Sequence, residues 1–297
     1  MRLVLALVLC AGCFDFTGDG AGDSLSFGSG GQSLTFAGAQ VVLGEFPPGV
    51  DSDHANVATG GTDLIALASD GAPFTRPFDA TVDDAAAITI AAVDGASVTL
   101  LGGAGTAELD ITDPETGVLF DRYAYAASAI ASAAVVPTAA VISSPDVLTS
   151  TAAAFAFWPG DLEVGIALEN SGGANRLVDT SLVLTLAGAT QLDWQTLSVP
   201  GATPGTYAVA VGDTGIAAQL AVVDHVDTLA LLIAFGGVAC FAADTDGAFV
   251  VGVPWSFTVD GAPVPGMSGL ASCVAASSGD HVTASAGGLS LDTNIAQ

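Results

Sequence analysis

The sequence predicts an all-β protein built from stacked sheets, and three observations carry that prediction. Turn residues punctuate the whole chain: there are 37 glycines, and Asp stands beside Gly at Asp70-Gly71, Asp94-Gly95, Asp246-Gly247 and Asp260-Gly261. Such pairs close hairpins, because both residue types tolerate the left-handed backbone that tight turns require. Between the turns lie short runs rich in Val, Thr, Ala and Ser, with no long stretch at helical spacing rich in Glu, Lys and Leu. The third observation is internal repetition. Disorder is excluded by a hydrophobic content of 51%.

Taken in order, the chain opens with Arg2, the apolar run Leu3 to Leu9, and Ala11-Gly12-Cys13. A basic residue, a short hydrophobic stretch and small residues before a cut are the pattern of a signal peptide, here 1–12, and the stretch is too short to span a bilayer. Ala11-Gly12-Cys13 resembles the bacterial lipoprotein lipobox, although Cys10 stands where leucine is usual. That resemblance implies an acylated N-terminus at Cys13 and residence in the bacterial cell envelope as an outer-membrane lipoprotein. Residues 13–23, with Phe14 to Gly22 mostly small, read as a flexible tether.

From residue 24 the chain alternates apolar or β-branched runs with Gly, Asp and Pro. Strands are expected at Leu34 to Phe36, Val41 to Gly44, Leu64 to Ala68, Ile88 to Val93, Ser97 to Leu101 and Glu108 to Ile111. Tyr123 to Pro145 is uncharged but mostly Ala and Ser, and reads as a last strand, a junction and a first strand. Thr228 to Ala243 is uncharged too, but it is shorter than a membrane span and broken at Gly236-Gly237. Two buried strands meeting at a turn account for it.

Self-similarity organises these elements. Arg76-Pro-Phe-Asp-Ala-Thr-Val-Asp83 aligns with Val253-Pro-Trp-Ser-Phe-Thr-Val-Asp260, and more weakly with Thr180-Ser-Leu-Val-Leu-Thr-Leu-Ala187. Upstream lie Ile65 to Gly71, Ile166 to Gly173 and Cys240 to Gly247; downstream lie Val98 to Asp110, Leu197 to Val209 and Cys273 to Ser285. One β-rich unit is used three times, over 24–130, 131–225 and 226–297. Within it, Val253, Trp255, Phe257 and Val259 share one face while Ser256 and Thr258 take the other. A strand wet on one face needs a second sheet over its dry face, which makes each unit a sandwich of two antiparallel sheets.

These repeats resemble bacterial immunoglobulin-like domains of the Big/invasin type, strung in tandem on surface lipoproteins and adhesins. In the last copy the order Cys240, Trp255, Cys273 is similar to the cysteine, tryptophan, cysteine order of immunoglobulin domains. Its spacing is shorter than in antibody domains, which leaves open the strand that carries the second cysteine. With Cys10 in the signal and Cys13 lipidated, Cys240 and Cys273 remain as a pair in an oxidising compartment, and a disulfide between them is expected.

Charge narrows the partners. The formal charge of −27 arises from missing cations: lysine is absent and the arginines are Arg2, Arg76, Arg122 and Arg176. Nucleic acid is excluded, because phosphate binding needs clustered Lys and Arg, and attraction to anionic lipid fails for the same reason. Any hold on a membrane is expected through the acyl chains at Cys13 alone.

Few residues suggest chemistry. Gly22-Asp23-Ser24-Leu25-Ser26 copies the nucleophile block of GDSL-type hydrolases. It follows a Gly- and Asp-rich tether and no buried strand, and the only Asp-x-x-His is Asp51 to His54. His54, His225 and His281 lack metal-site spacing. Asp244 and Asp246 could offer oxygens to calcium, but a hairpin turn explains them without a metal. Trp158, beside Pro159-Gly160, is the best candidate ring for stacking on a sugar, with Trp194 and Trp255 as the others. The expectation is therefore no catalysis, no cofactor and no metal. The predicted role is a structural, adhesive or binding one, toward a protein or glycan partner. A carbohydrate-binding module and a GDSL-type ester hydrolase are the alternatives.

Overall fold

The computed structural model describes residues 32–36, 55–69, 72–138, 154–171, 176–235, 237–267 and 271–295, and its described elements are strands. The alternation that the sequence shows becomes a series of two-layer sandwiches. The first holds β1 (Gln32–Phe36), β2 (Ala55–Ala58), β3 (Thr62–Ser69), β4 (Ala72–Pro73), β5 (Asp79–Val82), β6 (Ile88–Asp94), β7 (Ser97–Gly102), β8 (Gly105–Thr112) and β9 (Leu119–Ser128). One sheet runs β1-β3-β7-β6, with β4 on β3, and the other runs β2-β9-β8-β5. Pairing is antiparallel except between β2 and β9, which run parallel. Ile65 and Leu67 of β3, Val98 and Leu100 of β7, and Leu109 and Ile111 of β8 fill the space between the sheets.

The second sandwich repeats the plan with β10 (Ser132–Pro137), β11 (Ala154–Phe157), β12 (Gly160–Glu169), β13 (Arg176–Leu177), β14 (Leu184–Thr185), β15 (Thr190–Gln191), β16 (Thr196–Ala202), β17 (Gly205–Val211) and β18 (Ile216–Val222). Its sheets are β10-β12-β16-β15 and β14-β17-β18-β11. The third uses β19 (Thr228–Phe235), β20 (Val238–Thr245), β21 (Ala248–Val251), β22 (Trp255–Val259), β23 (Ala262–Val264), β24 (Ser272–Ala275), β25 (His281–Ala286) and β26 (Leu289–Asn294). Here β21, β20 and β19, with β24 on β20, face β23-β22-β25-β26. Phe241, Phe257, Val274 and Val282 meet between them.

In the first two sandwiches the order is first, second, fifth and fourth strand on one sheet, with third, sixth and seventh on the other. A detached piece of the first strand runs parallel to the last. This is the arrangement of the immunoglobulin fold, so the protein is a tandem of immunoglobulin-like β-sandwiches. The repeat seen in the sequence maps onto equivalent strands. Its upstream blocks are β3, β12 and β20; its central blocks hold β5, β14 and β22; its downstream blocks are β7-β8, β16-β17 and β24-β25.

The junctions differ from beads on a string. Between the first two sandwiches Val57 bridges Val178 in parallel. The Val178 amide donates to the Asn56 carbonyl at 2.8 Å and the Ala58 amide to the Val178 carbonyl at 2.9 Å. Alongside, the Thr62 amide donates to Asp179 Oδ1 at 3.1 Å. Gly61 is needed for that approach, because a Cβ there would stand 2.6 Å from the Asp179 carboxyl carbon. Buried side chains run without a break from the first sandwich to the second.

At the second junction β11 lies between two sandwiches and runs parallel to both. Phe157 pairs with Val222 of β18, and Ala154 to Phe157 pair with Ala248 to Val251 of β21. The second and third sandwiches thereby share one eight-stranded sheet. Ala156, Val226, Ala243, Val250 and Val253 form an apolar core across it.

Candidate functional site

Cys13, Ser24, Asp51 and His54 all lie outside the described residues, so the lipidation and hydrolase readings rest on sequence alone. The described residues place the other candidates. Cys240 and Cys273 form a disulfide, with Cα atoms 4.0 Å apart. They face each other across adjacent antiparallel strands, β20 and β24. The bond therefore staples two strands of one sheet, where the immunoglobulin pattern would pin one sheet to the other. Sequence spacing gives the physical reason. At a sequence separation of 33, the second cysteine falls on the strand before the one that crosses into the facing sheet.

Asp244 and Asp246 build the turn joining β20 to β21. Asp244 Oδ1 accepts the Gly247 amide at 3.1 Å, and Asp246 adopts a left-handed φ of 51°. Asp227 closes the turn from outside: its Oδ2 accepts the Thr245 hydroxyl at 2.9 Å and the Asp246 amide at 3.1 Å. The Thr245 hydroxyl above all, then that amide, holds the Asp227 carboxyl below its ordinary range. Among the described residues, no three His, Cys, Asp or Glu side chains converge as a metal site would require. His225 is exposed beside Asp224, 3.6 Å away, and His281 is exposed on β25.

The tryptophans belong to the scaffold. Trp194 is buried in the second sandwich. Trp255 stacks on Phe257 with parallel planes and centroids 5.6 Å apart. Trp158, half-buried, packs into the apolar core between the second and third sandwiches, and its amide donates to the Val251 carbonyl at 2.8 Å.

Two cations organise the surface of the first sandwich. Arg122 forks onto Asp110 at 2.6 and 2.7 Å and reaches Glu108 at 3.3 Å, an arrangement that holds it firmly charged. Arg76 bonds Asp113 at 3.0 Å and lies 4.4 Å over the Phe120 ring. The amides of Glu115 and Thr116, ahead of Arg76, hold the Asp113 carboxyl below its usual range.

One group stands apart. Asp63 on β3 is fully buried, opposite Leu100 of β7. Neither carboxyl oxygen has a hydrogen-bond donor of good geometry. Burial drives its pKa well above the ordinary carboxylate value, and the Leu64 amide alone works against that shift. No motif marks Asp63 out from the many aspartates of the turns. Inside β3 its alternation with Ile65 and Leu67 was the available signal.

No protein-family model matches the chain, and no curated protein matches it. Among solved structures it is similar to the Escherichia coli adhesin FdeC, with 16% identity, 91% of this chain and 99% of that chain covered, and a TM-score of 0.23. It is similar to domains 5-6 of the S-layer protein SbsC, with 13% identity, 58% and 94% covered, and a TM-score of 0.26. It is similar also to the Bacteroides ovatus SGBP-B in complex with a mixed-linkage heptasaccharide, with 14% identity, 88% and 68% covered, and a TM-score of 0.25. The fold assignment itself rests on the strand order described above.

Proposed function

We propose that this chain is a non-catalytic, lipid-anchored protein of the bacterial cell envelope. In this reading it acts as a stiff spacer that holds a contact surface for a protein or glycan partner away from the membrane. The observation that carries this reading is the second junction. A spacer must resist bending between its modules, and a strand shared by two sandwiches resists bending far better than a flexible linker does. The first junction supports it in the same way, through paired backbone and continuous buried side chains. Loop tips at the ends of such sandwiches are where contacts are made on rigid scaffolds. Cys13 is the proposed acylation site and the tether after it the proposed spacer to the first sandwich.

The test has two arms. Metabolic labelling with a radioactive fatty acid is expected to mark the wild-type chain and not Cys13→Ala, and the variant is expected in the soluble fraction. An unlabelled wild type, or a Cys13→Ala chain still pelleting with membranes, overturns the anchor. Hydrolysis of a nitrophenyl ester by purified protein, lost in Ser24→Ala, overturns the non-catalytic reading.

A further inference from the structure

The second junction is a lap, with two modules overlapping side by side, and the strand registers show how it is made. In the first sandwich the detached strand β2 closes on its own module, pairing with β9 from Ala55 opposite Tyr125 to Ala58 opposite Ser128. Its counterpart β11 keeps a single such pair, Phe157 with Val222. The longer ladder goes to β21 of the next module, from Ala154 opposite Ala248 to Phe157 opposite Val251. Beyond it the Trp158 amide donates to the Val251 carbonyl at 2.8 Å, and the Phe155 and Phe249 rings meet with centroids 6.4 Å apart. The covalent linker between the modules runs backwards beside this lap. β18 ends at Val222, level through Phe157 with Val251. β19 begins at Thr228, opposite Asp244, which stands opposite Phe249, two residues before Val251. Because β18, β11, β21 and β19 all run the same way, residues 223–227 must double back. Asp227 fastens the end of that turn to β20: its amide donates to the Asp244 carbonyl at 2.9 Å, and its carboxylate accepts the Thr245 hydroxyl at 2.9 Å.

We propose that this lap carries tension: when the two ends of the chain are pulled, the load crosses from β11 to β21, and the linker bears none of it until that ladder slips. Tension draws the second sandwich one way and the third the other. Parallel strands drawn in opposite directions slide along each other, so every rung of the ladder is strained at once, whereas strands peeled from one end yield rung by rung. The linker stays unloaded at this stage, because separating the modules first has to turn it round. Val226, buried in the apolar core of the junction, is released only when that core opens with the ladder. Once the ladder yields, residues 223–227 straighten, and the chain lengthens by at most about 3 nm. Both sandwiches keep their own paired sheets through this step, so the joint gives before either module unfolds and closes again when tension falls. The property belongs to the free chain, and it stands or falls separately from acylation at Cys13.

Optical-tweezers pulling of the full chain, held by handles at its two ends, tests this. The wild type is expected to show one short, reversible lengthening of at most about 3 nm ahead of the larger unfolding steps. Phe249→Pro puts a ring into the ladder and is expected to shorten the lifetime of the closed joint at constant force by about tenfold or more. A second variant covers the case in which that one fails to fold. Ala154 is exposed and pairs directly with Ala248, so Ala154→Cys with Ala248→Cys can be joined by oxidation across the ladder. The oxidised pair is expected to abolish the short step, and reduction of that bond to restore it. A wild type that lengthens only in full unfolding steps, an oxidised pair that keeps the short step, or a folded Phe249→Pro chain whose joint lasts as long as that of the wild type overturns the proposal.

Discussion

Asp63 shows what a single residue contributes when its environment forbids charge. A carboxylate buried among apolar side chains without donors is costly, so the folded protein keeps it protonated. Below pH 3.8, the ordinary value, the group is protonated folded or unfolded and its full contribution to stability is present. As pH rises beyond that point the unfolded chain releases the proton while the folded chain holds it. Stability then falls by about 1.4 kcal/mol per pH unit until the raised folded value is passed. Asp113 and Asp227, whose values are lowered, act with the opposite sign, contributing stability above the ordinary value that is lost in acid. The diagnostic is therefore a difference. Asp63→Asn is expected to melt progressively higher relative to wild type over the pH range that opens at 3.8. Melting curves for the two proteins that stay parallel across that range sink the assignment.

Among the elements, the β20-β24 staple illustrates how position decides what a disulfide does. It joins strands already paired in one sheet, so its stabilisation acts mainly by shortening the unfolded chain. For a sequence separation of 33 the chain-entropy model gives about 3 to 4 kcal/mol. Replacing both cysteines by alanine is expected to destabilise the transition that unfolds the third sandwich by that amount. Chemical-shift mapping is expected to find the first sandwich unchanged. An equal loss in all three units contradicts this. The same elements show what was legible beforehand. Alternation in Val253 to Val259 predicted a half-buried strand, and Val253 and Phe257 are buried while Ser256 is exposed. The threefold repeat placed equivalent strands correctly because each copy must bury the same face. The pairing partner of β11 was not legible. Ala154 to Phe157 is an apolar run like any other, and whether such a strand closes its own sheet or also a neighbour's depends on geometry beyond the copy.

At the scale of the whole molecule, the question is whether three repeats behave as three folding units. In a simple tandem each module melts by itself and coupling through a linker is slight. Here β11 is flanked by strands of two modules, and Ala156, buried, sits in the apolar core between them. Unfolding either module strips paired backbone from the other's sheet, so the second and third sandwiches are expected to share one cooperative calorimetric transition. Ala156→Pro removes a backbone donor and forces a ring into a strand paired with both modules, a change that costs about 3 kcal/mol or more. Because the second sandwich retains its core of Val164, Ile166, Leu197 and Leu220, and the third retains its disulfide, each keeps enough to fold separately. The expected result is that the shared transition splits into two in Ala156→Pro, with the higher resistance to reductant-free heating in the stapled third sandwich. If the wild type already melts in separate steps for these two modules, or the variant melts as one, then β11 does not couple them. The stiffness assigned to the second junction would then have no thermodynamic basis.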